Sequence, residues 1–314
     1  MGLVGSIDYV LRCLVFVLYY CSSLTTSAVI LFYGSLFGAA NRFTLRVRSI
    51  FSSVTCAPWL LCFGVRLAID NEEYAFPSDG SPVINIGTHA SHIDGLSMMV
   101  TYWRHRHMRM PPCAVVKREV LFTPFYGPFA YFVGNVMVAR GSTKEVAIES
   151  MDRVGQRMKD GYVIGAFPEG SRRRTPSTGK DHLLPFKKGV FHMIAKTASQ
   201  GTPITLVPFC LIGSRSAWPK GRLIPVSGSK VLLKFCEPVQ VKPSDTVDDL
   251  LERTRSSIEN AIEAAARNQT GDYDIDAAFK RGEEVNLARE FLFEALLLTI
   301  PPIATLAIAG LGLL

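Results

Sequence analysis

From about residue 80 onward, apolar and polar positions along the chain follow two alternating periods. Short apolar runs have the length of buried strands: "PVINIG" (82–87), "CAVVK" (113–117), "VGNVMVAR" (133–140), "GYVIGAFPEG" (161–170), residues 203–211 and "KVLLKFCEPV" (230–239). Between them lie stretches with helical spacing, from Ser91 to Arg106, from Thr143 to Lys159 and over 188–199. Residues 246–267 carry Val247, Leu250, Leu251, Ile258, Ala261, Ile262 and Ala265 on one helical face, with charges on the other, which predicts a docking helix. Strand and helix in alternation predict an α/β fold, a mostly parallel central sheet flanked by helices.

Three other stretches are more apolar still. Cys13 to Ala40 holds no charge over 28 residues, enough to cross a hydrocarbon core of about 30 Å. Phe51 to Ile69 contains Pro58 and Arg66, and Phe291 to Leu314 is interrupted by Pro301-Pro302; both read equally as membrane segments or buried helices. The first run is too long for a signal, no basic n-region precedes it, and Arg42, Arg46 and Arg48 follow it, so it reads as an anchor and not as a cleaved signal. The same arginines place the following loop in the cytosol. If the catalytic domain is to stay on that side, Phe51–Ile69 must lie in or dip into one leaflet. The expected organisation is N-terminal membrane-anchoring helices over 1–75, an α/β domain over 76–270 and a C-terminal membrane-associated segment over 271–314.

Composition narrows the partners. The net charge of +7 suits an anionic membrane surface or anionic substrate, while the basic residues do not interleave with aromatics as a nucleic-acid surface requires. The seven cysteines show no paired spacing, so they read as thiols in a reducing compartment and not as disulfides or a zinc site.

"INIGTHASHIDGLSMM" (84–99) gathers the first candidate chemistry. Ser91 with Asp94 three residues on resembles a capping box, which would make Asp94 a structural cap. His89, His92 and Asp94 also allow a metal reading, although His105, His107, His182 and His192 form no second ligand cluster. As an acid–base pair, His89 and Asp94 would lie about 140° apart on a continuous helix. They meet only across a break, which the turn at Gly87 and the cap at Ser91 supply. A carboxylate on one ring nitrogen would fix the tautomer and make the other nitrogen a base near neutral pH.

A second constellation, "AFPEGSRRR" (166–174), sets Glu169 and Gly170 at a strand end before Arg172, Arg173 and Arg174, with Lys180, Lys187 and Lys188 following. Guanidinium forks match phosphate oxygens, and the helix start at 187–189 adds backbone N–H groups. A solvated basic loop on a membrane face is the plainer alternative.

The order and spacing of "HASHID", "GNVMVAR" (134–140), "FPEGSR" (167–172) and "VPF" (207–209) resemble the glycerolipid acyltransferase family, most closely its 1-acylglycerol-3-phosphate acyltransferases, over roughly residues 80–240. The resemblance implies that His89 is the general base and Asp94 orients it. It implies that Arg140, Glu169, Gly170 and Arg172 form the acceptor site, with Pro208 in a block linked to the acyl donor. Lys117, Ser171 and Lys188 are further candidates. Thr88, His92, Ala139 and Ser171 depart from the common pattern and bear on acceptor choice. The implied reaction moves an acyl chain from acyl-coenzyme A, a co-substrate, to the free hydroxyl of lysophosphatidic acid or a related lysophospholipid at the bilayer. Direct transfer is expected, because no G-x-S-x-G elbow is present and no cysteine stands beside His89. No metal or cofactor is required, and nucleic acid is not an expected partner. The expected location is the endoplasmic reticulum membrane with the site facing the cytosol.

Overall fold

Val83 to Gly87 is buried at all five positions, as a central strand covered by helices on both faces demands. In the computed structural model it is the second of nine strands among the described residues, which are 10, 11, 13, 14, 60–76, 81–105, 112–122, 130, 131, 134–139, 143–172, 183–222, 225–266 and 274–290. In chain order the elements are β1 (Arg66–Asp70), β2 (Val83–Gly87), α1 (Ile93–Arg104), β3 (Pro112–Lys117), β4 (Val136–Val138), α2 (Lys144–Lys159), β5 (Val163–Ala166) and α3 (Gly189–Ser199). There follow β6 (Ile204–Ile212), α4 (Ser214–Ala217), β7 (Lys230–Phe235), β8 (Val239–Val241), α5 (Val247–Ala266), α6 (Ile275–Phe279) and β9 (Glu283–Glu284).

The sheet runs β4-β3-β5-β2-β6-β7-β1-β9, with β8 also on β6. From β4 to β6 every pairing is parallel. β7 and β8 join β6 antiparallel, and β1 lies parallel to β7. Side-chain alternation divides the core into two layers. Ile84 and Ile86 face a cluster with Val190 and Ile194 of α3 and Ile258 and Ile262 of α5. Val83, Val207 and Phe209 face another with Ile93, Met98 and Tyr102 of α1. The α/β class, the mostly parallel sheet and the flanking helices are as the sequence predicts.

The domain boundaries differ from the expectation. Leu60, Phe63, Val65, Leu67 and Ile69 are buried in the α1-side core, and β1 pairs with β7 over five residues. The C-terminal part of the apolar run 51–69 is therefore sheet and core, not a leaflet segment. A short apolar run meets the needs of a buried strand as well as those of lipid, and Arg66 finds its counter-charge in Glu284, with Nε and Nη2 each donating to the carboxylate. At the other end, α6 and β9 also belong to this body: Ala278 and Phe279 enter the core and β9 pairs with β1. Among the described residues no helix is long and apolar enough to cross a membrane. Most of Cys13–Ala40, residues 51–59 and all of Phe291–Leu314 lie outside the described residues.

Candidate active site

β2, β5 and β6 are parallel neighbours, so the loops after their carboxyl ends meet at one edge of the sheet, where open α/β sheets place their ligands. β2 reaches this edge through Gly87, whose added Cβ would come within 2.3 Å of the Phe209 ring. Only glycine lets the strand pass Phe209 so closely. Thr88 then accepts a hydrogen bond from Leu211 N–H at 3.0 Å, tying the turn to β6. The chain breaks at His89–Ser91 before α1 begins.

Across that break His89 Nδ1 lies 3.1 Å from Asp94 Oδ2. The same oxygen accepts the N–H groups of Ala90 and Ser91 at 2.6 and 2.7 Å. Capping the turn and facing the ring, roles that the sequence allows to different oxygens of Asp94, fall to the same oxygen. Ser91 Oγ completes the cap by accepting from Ile93 N–H at 3.3 Å, and it donates to the Trp218 carbonyl at 3.0 Å. The Asp94 side chain is fully buried, whereas that of His89 is 24% exposed. An acceptor-only carboxylate facing Nδ1 places the ring proton there and leaves Nε2 with a free lone pair. The imidazole face is fixed by Phe167, stacked at a centroid distance of 4.5 Å, and Phe167 in turn meets Phe209 edge-on at 5.9 Å.

Phe167 to Gly170 forms the turn after β5. It closes through Gly170 N–H to the Phe167 carbonyl at 3.0 Å, with Gly170 at φ +67°, a left-handed conformation that suits glycine. Glu169 is buried here. Its Oε1 accepts from His89 N–H at 2.9 Å and its Oε2 from Leu184 N–H at 3.0 Å. Arg172 is close enough to Asp94 for the two charges to interact: burial lowers the guanidinium's pKa and the Asp94 charge works to raise it. Its carbonyl accepts from Lys220 Nζ at 3.4 Å. His92 packs its ring on Trp218 at 5.0 Å. Although the residue stays exposed, enclosure of the ring, then Arg172, then His89, push its pKa down to about 4.

The remaining candidates scatter. Ser171 adjoins Arg172 and is half-buried. Lys117 ends β3 opposite Val138 of β4, two strands from β2. Pro208 is buried inside β6, paired with Ile86, and its carbonyl accepts from Cys236 N–H at 2.8 Å, so it builds sheet. Lys188 is drawn away to an exposed ion pair with Asp248 of α5 at 2.6 Å. Arg140, Arg173, Arg174 and Lys180 lie outside the described residues. Among the described residues no three His, Cys, Asp or Glu side chains converge to hold a metal ion. Cys13, Cys62, Cys113, Cys210 and Cys236 are not joined in disulfides, and burial raises Cys113 and Cys236 to about 11.

Phe167 and Trp218 were not candidates. Phe167 stands inside a quoted motif, but apolar residues beside a motif read as core. Trp218 is 127 residues after Ser91, and no local pattern announces their contact.

Residues 66–212, which carry this whole constellation but for Trp218, match a protein-family model described as acyltransferase. A 1-acyl-sn-glycerol-3-phosphate acyltransferase of Cocos nucifera is 27% identical over 197 residues, covering 62% of this chain and 57% of the relative. One from Salmonella typhimurium is 30% identical over 168 residues, 51% and 63% of the two chains. One from Escherichia coli is 28% identical over 203 residues, 62% and 76%. The chain thus spans about three fifths of the length of the first relatives it matches. The chain also shares the fold of the 1-acyl-sn-glycerophosphate (LPA) acyltransferase from Thermotoga maritima, with a TM-score of 0.56 at 20% identity, covering 82% of this chain and 99% of that one.

Proposed function

We propose that this protein is an acyltransferase that moves a fatty acyl chain from acyl-coenzyme A to the free hydroxyl of 1-acylglycerol 3-phosphate, giving phosphatidic acid. The carrying observation is the His89–Asp94 contact, a partly exposed imidazole held by a buried carboxylate at 3.1 Å. His89 Nε2 takes the hydroxyl proton as that oxygen attacks the thioester carbonyl. The tetrahedral intermediate then expels the coenzyme A thiolate, which receives the proton from His89. Asp94 Oδ2 balances the imidazolium that forms between the two steps. Arg172 beside this pair supports a phosphate-bearing acceptor, since a partly buried guanidinium gains most from a dianionic partner. The names of the relatives support lysophosphatidic acid as that acceptor.

The bilayer enters the proposal through the substrate and through the charge-free run Cys13–Ala40. An endoplasmic reticulum membrane with the site facing the cytosol matches the supply of acyl-coenzyme A. The test is transfer from radiolabelled oleoyl-coenzyme A to lysophosphatidate, glycerol 3-phosphate and other lysophospholipids, in membranes carrying wild type or His89→Ala. Acylation of lysophosphatidate, lost on the order of 10³-fold in the variant, is the expected result. A different preferred acceptor with the same dependence would correct the substrate. No acylation, or an unaffected variant, would leave a lipid-binding protein.

A further inference from the structure

The resemblance places Glu169 in the acceptor site, but the geometry points to a different task. We infer that Glu169 is a positioning residue: its carboxylate bridges the backbone of the His89 turn to the chain segment at Leu184, and so sets where the imidazole stands. This rests on the acyl-transfer reading of the same site.

Four observations carry it. Oε1 takes the His89 N–H at 2.9 Å and Oε2 takes the Leu184 N–H at 3.0 Å, so the two oxygens serve main-chain donors 95 residues apart in sequence. Glu169 is 4% exposed, and a carboxylate so enclosed is stable only where such donors replace water. The Leu184 segment is itself anchored. Arg255 of α5 donates to the carbonyls of Leu184 and Leu183 at 3.2 and 3.5 Å, and Lys187 N–H donates to the Pro168 carbonyl at 2.9 Å. Finally, the division of labour is specific. Asp94 Oδ2 holds the His89 ring, while Glu169 holds the amide of the same residue from the opposite chain segment. A path of direct hydrogen bonds therefore runs from α5 through Leu184 and Glu169 to the candidate base.

A glutamine at 169 presents one oxygen and one NH2, so one of the two N–H donors loses its acceptor. An aspartate keeps the charge but is one methylene too short to span both. Positioning therefore predicts that Glu169→Gln and Glu169→Asp each lower kcat by about 10–100-fold, the scale of a sub-ångström to 1 Å misplacement, with the acceptor KM within about twofold of wild type. Amide hydrogen exchange, followed by mass spectrometry on the full chain in detergent micelles, should quicken at His89 and Leu184 in both variants while β2 and β6 stay protected. If KM for lysophosphatidate rises tenfold or more while kcat and the exchange at His89 and Leu184 stay at wild-type values, Glu169 is an acceptor ligand and the inference fails. Full activity in the aspartate variant would overturn it equally, because charge alone would then suffice. Should wild type acylate no acceptor, the acyl-transfer reading falls, and exchange at the two amides still decides the bridge. Where glutamine prevents folding, the aspartate variant is read by the same criteria.

Discussion

At the scale of single residues, one oxygen atom settles how the candidate base is held. Asp94 Oδ2 serves the Ala90 and Ser91 amides and the His89 ring together, while Oδ1 has no hydrogen-bond partner among the described residues. Removing the charge and removing the acceptor should therefore separate. In Asp94→Asn the amide oxygen can still accept from the turn, so melting should change little while kcat falls about 10²–10⁴-fold for want of a charge opposite the imidazolium. Asp94→Ala should lose similar activity and in addition about 1–3 kcal/mol of stability, since the buried Ser91 N–H and the part-buried Ala90 N–H are left without this acceptor. Kinetics and thermal unfolding of both variants check this. Equal melting temperatures would reduce Asp94 to an electrostatic role alone.

At the scale of elements, β1 is the piece most easily misread. Its sequence, Arg66-Leu-Ala-Ile-Asp70, ends a long apolar run and looks like the tail of a membrane segment. Its place in the sheet follows from contacts that lie far off in sequence: β7 alongside it in parallel, β9 on its outer edge, and the Arg66–Glu284 pair. Leu67 is fully buried, so Leu67→Ala should cost about 2–5 kcal/mol in denaturant unfolding of the whole α/β body. A loss below about 0.5 kcal/mol would mean that β1 is peripheral to the fold. The motif-bearing strands were legible because each is bounded by a turn and has the length of a buried strand. β1 was not, because burial in protein and burial in lipid select the same residues.

At the scale of the whole molecule, charges stitch the C-terminal part to the sheet. Glu72, after β1, accepts from Arg104 Nε at 2.9 Å, and Arg104 also faces Glu290 at 3.6 Å and Glu283 at 3.8 Å. Burial alone would raise the Glu72 pKa, but hydrogen bonds from His105 and Arg104 outweigh it and hold the group below its ordinary 4.5. A carboxyl lowered on folding adds stability that is complete above its unfolded value and is lost as pH falls through and below it. His92 acts in the same direction at higher pH. Neutral in the folded chain down to about 4 and protonated in the unfolded chain from 6.5, it destabilises progressively across that window on acidification. The urea midpoint should thus decline from about pH 6.5 downward and continue to fall below 4.5. His92→Gln should flatten the upper part and Glu72→Gln the lower. Unchanged profiles in both would remove these groups from the acid response.

The sequence by itself determined the α/β class, the succession of strands and helices from residue 82 to 212, the long helix near 247–266, and the two short motifs that carry His89, Asp94, Glu169 and Arg172, whereas the single strand it predicts over 230–239 is two, β7 and β8. Those features are local: each depends on periodicity, on a turn residue, or on spacing within about ten positions. The tertiary structure decided which of the candidates meet. It brought Glu169 to the amide of His89, Phe167 under its ring and Trp218 onto Ser91, and it took Pro208 into the sheet and Lys188 out to Asp248. It also moved the domain edge back to β1. These outcomes depend on strand order and on the partner of each buried polar group, and such pairings join residues too distant in sequence for any local pattern to encode.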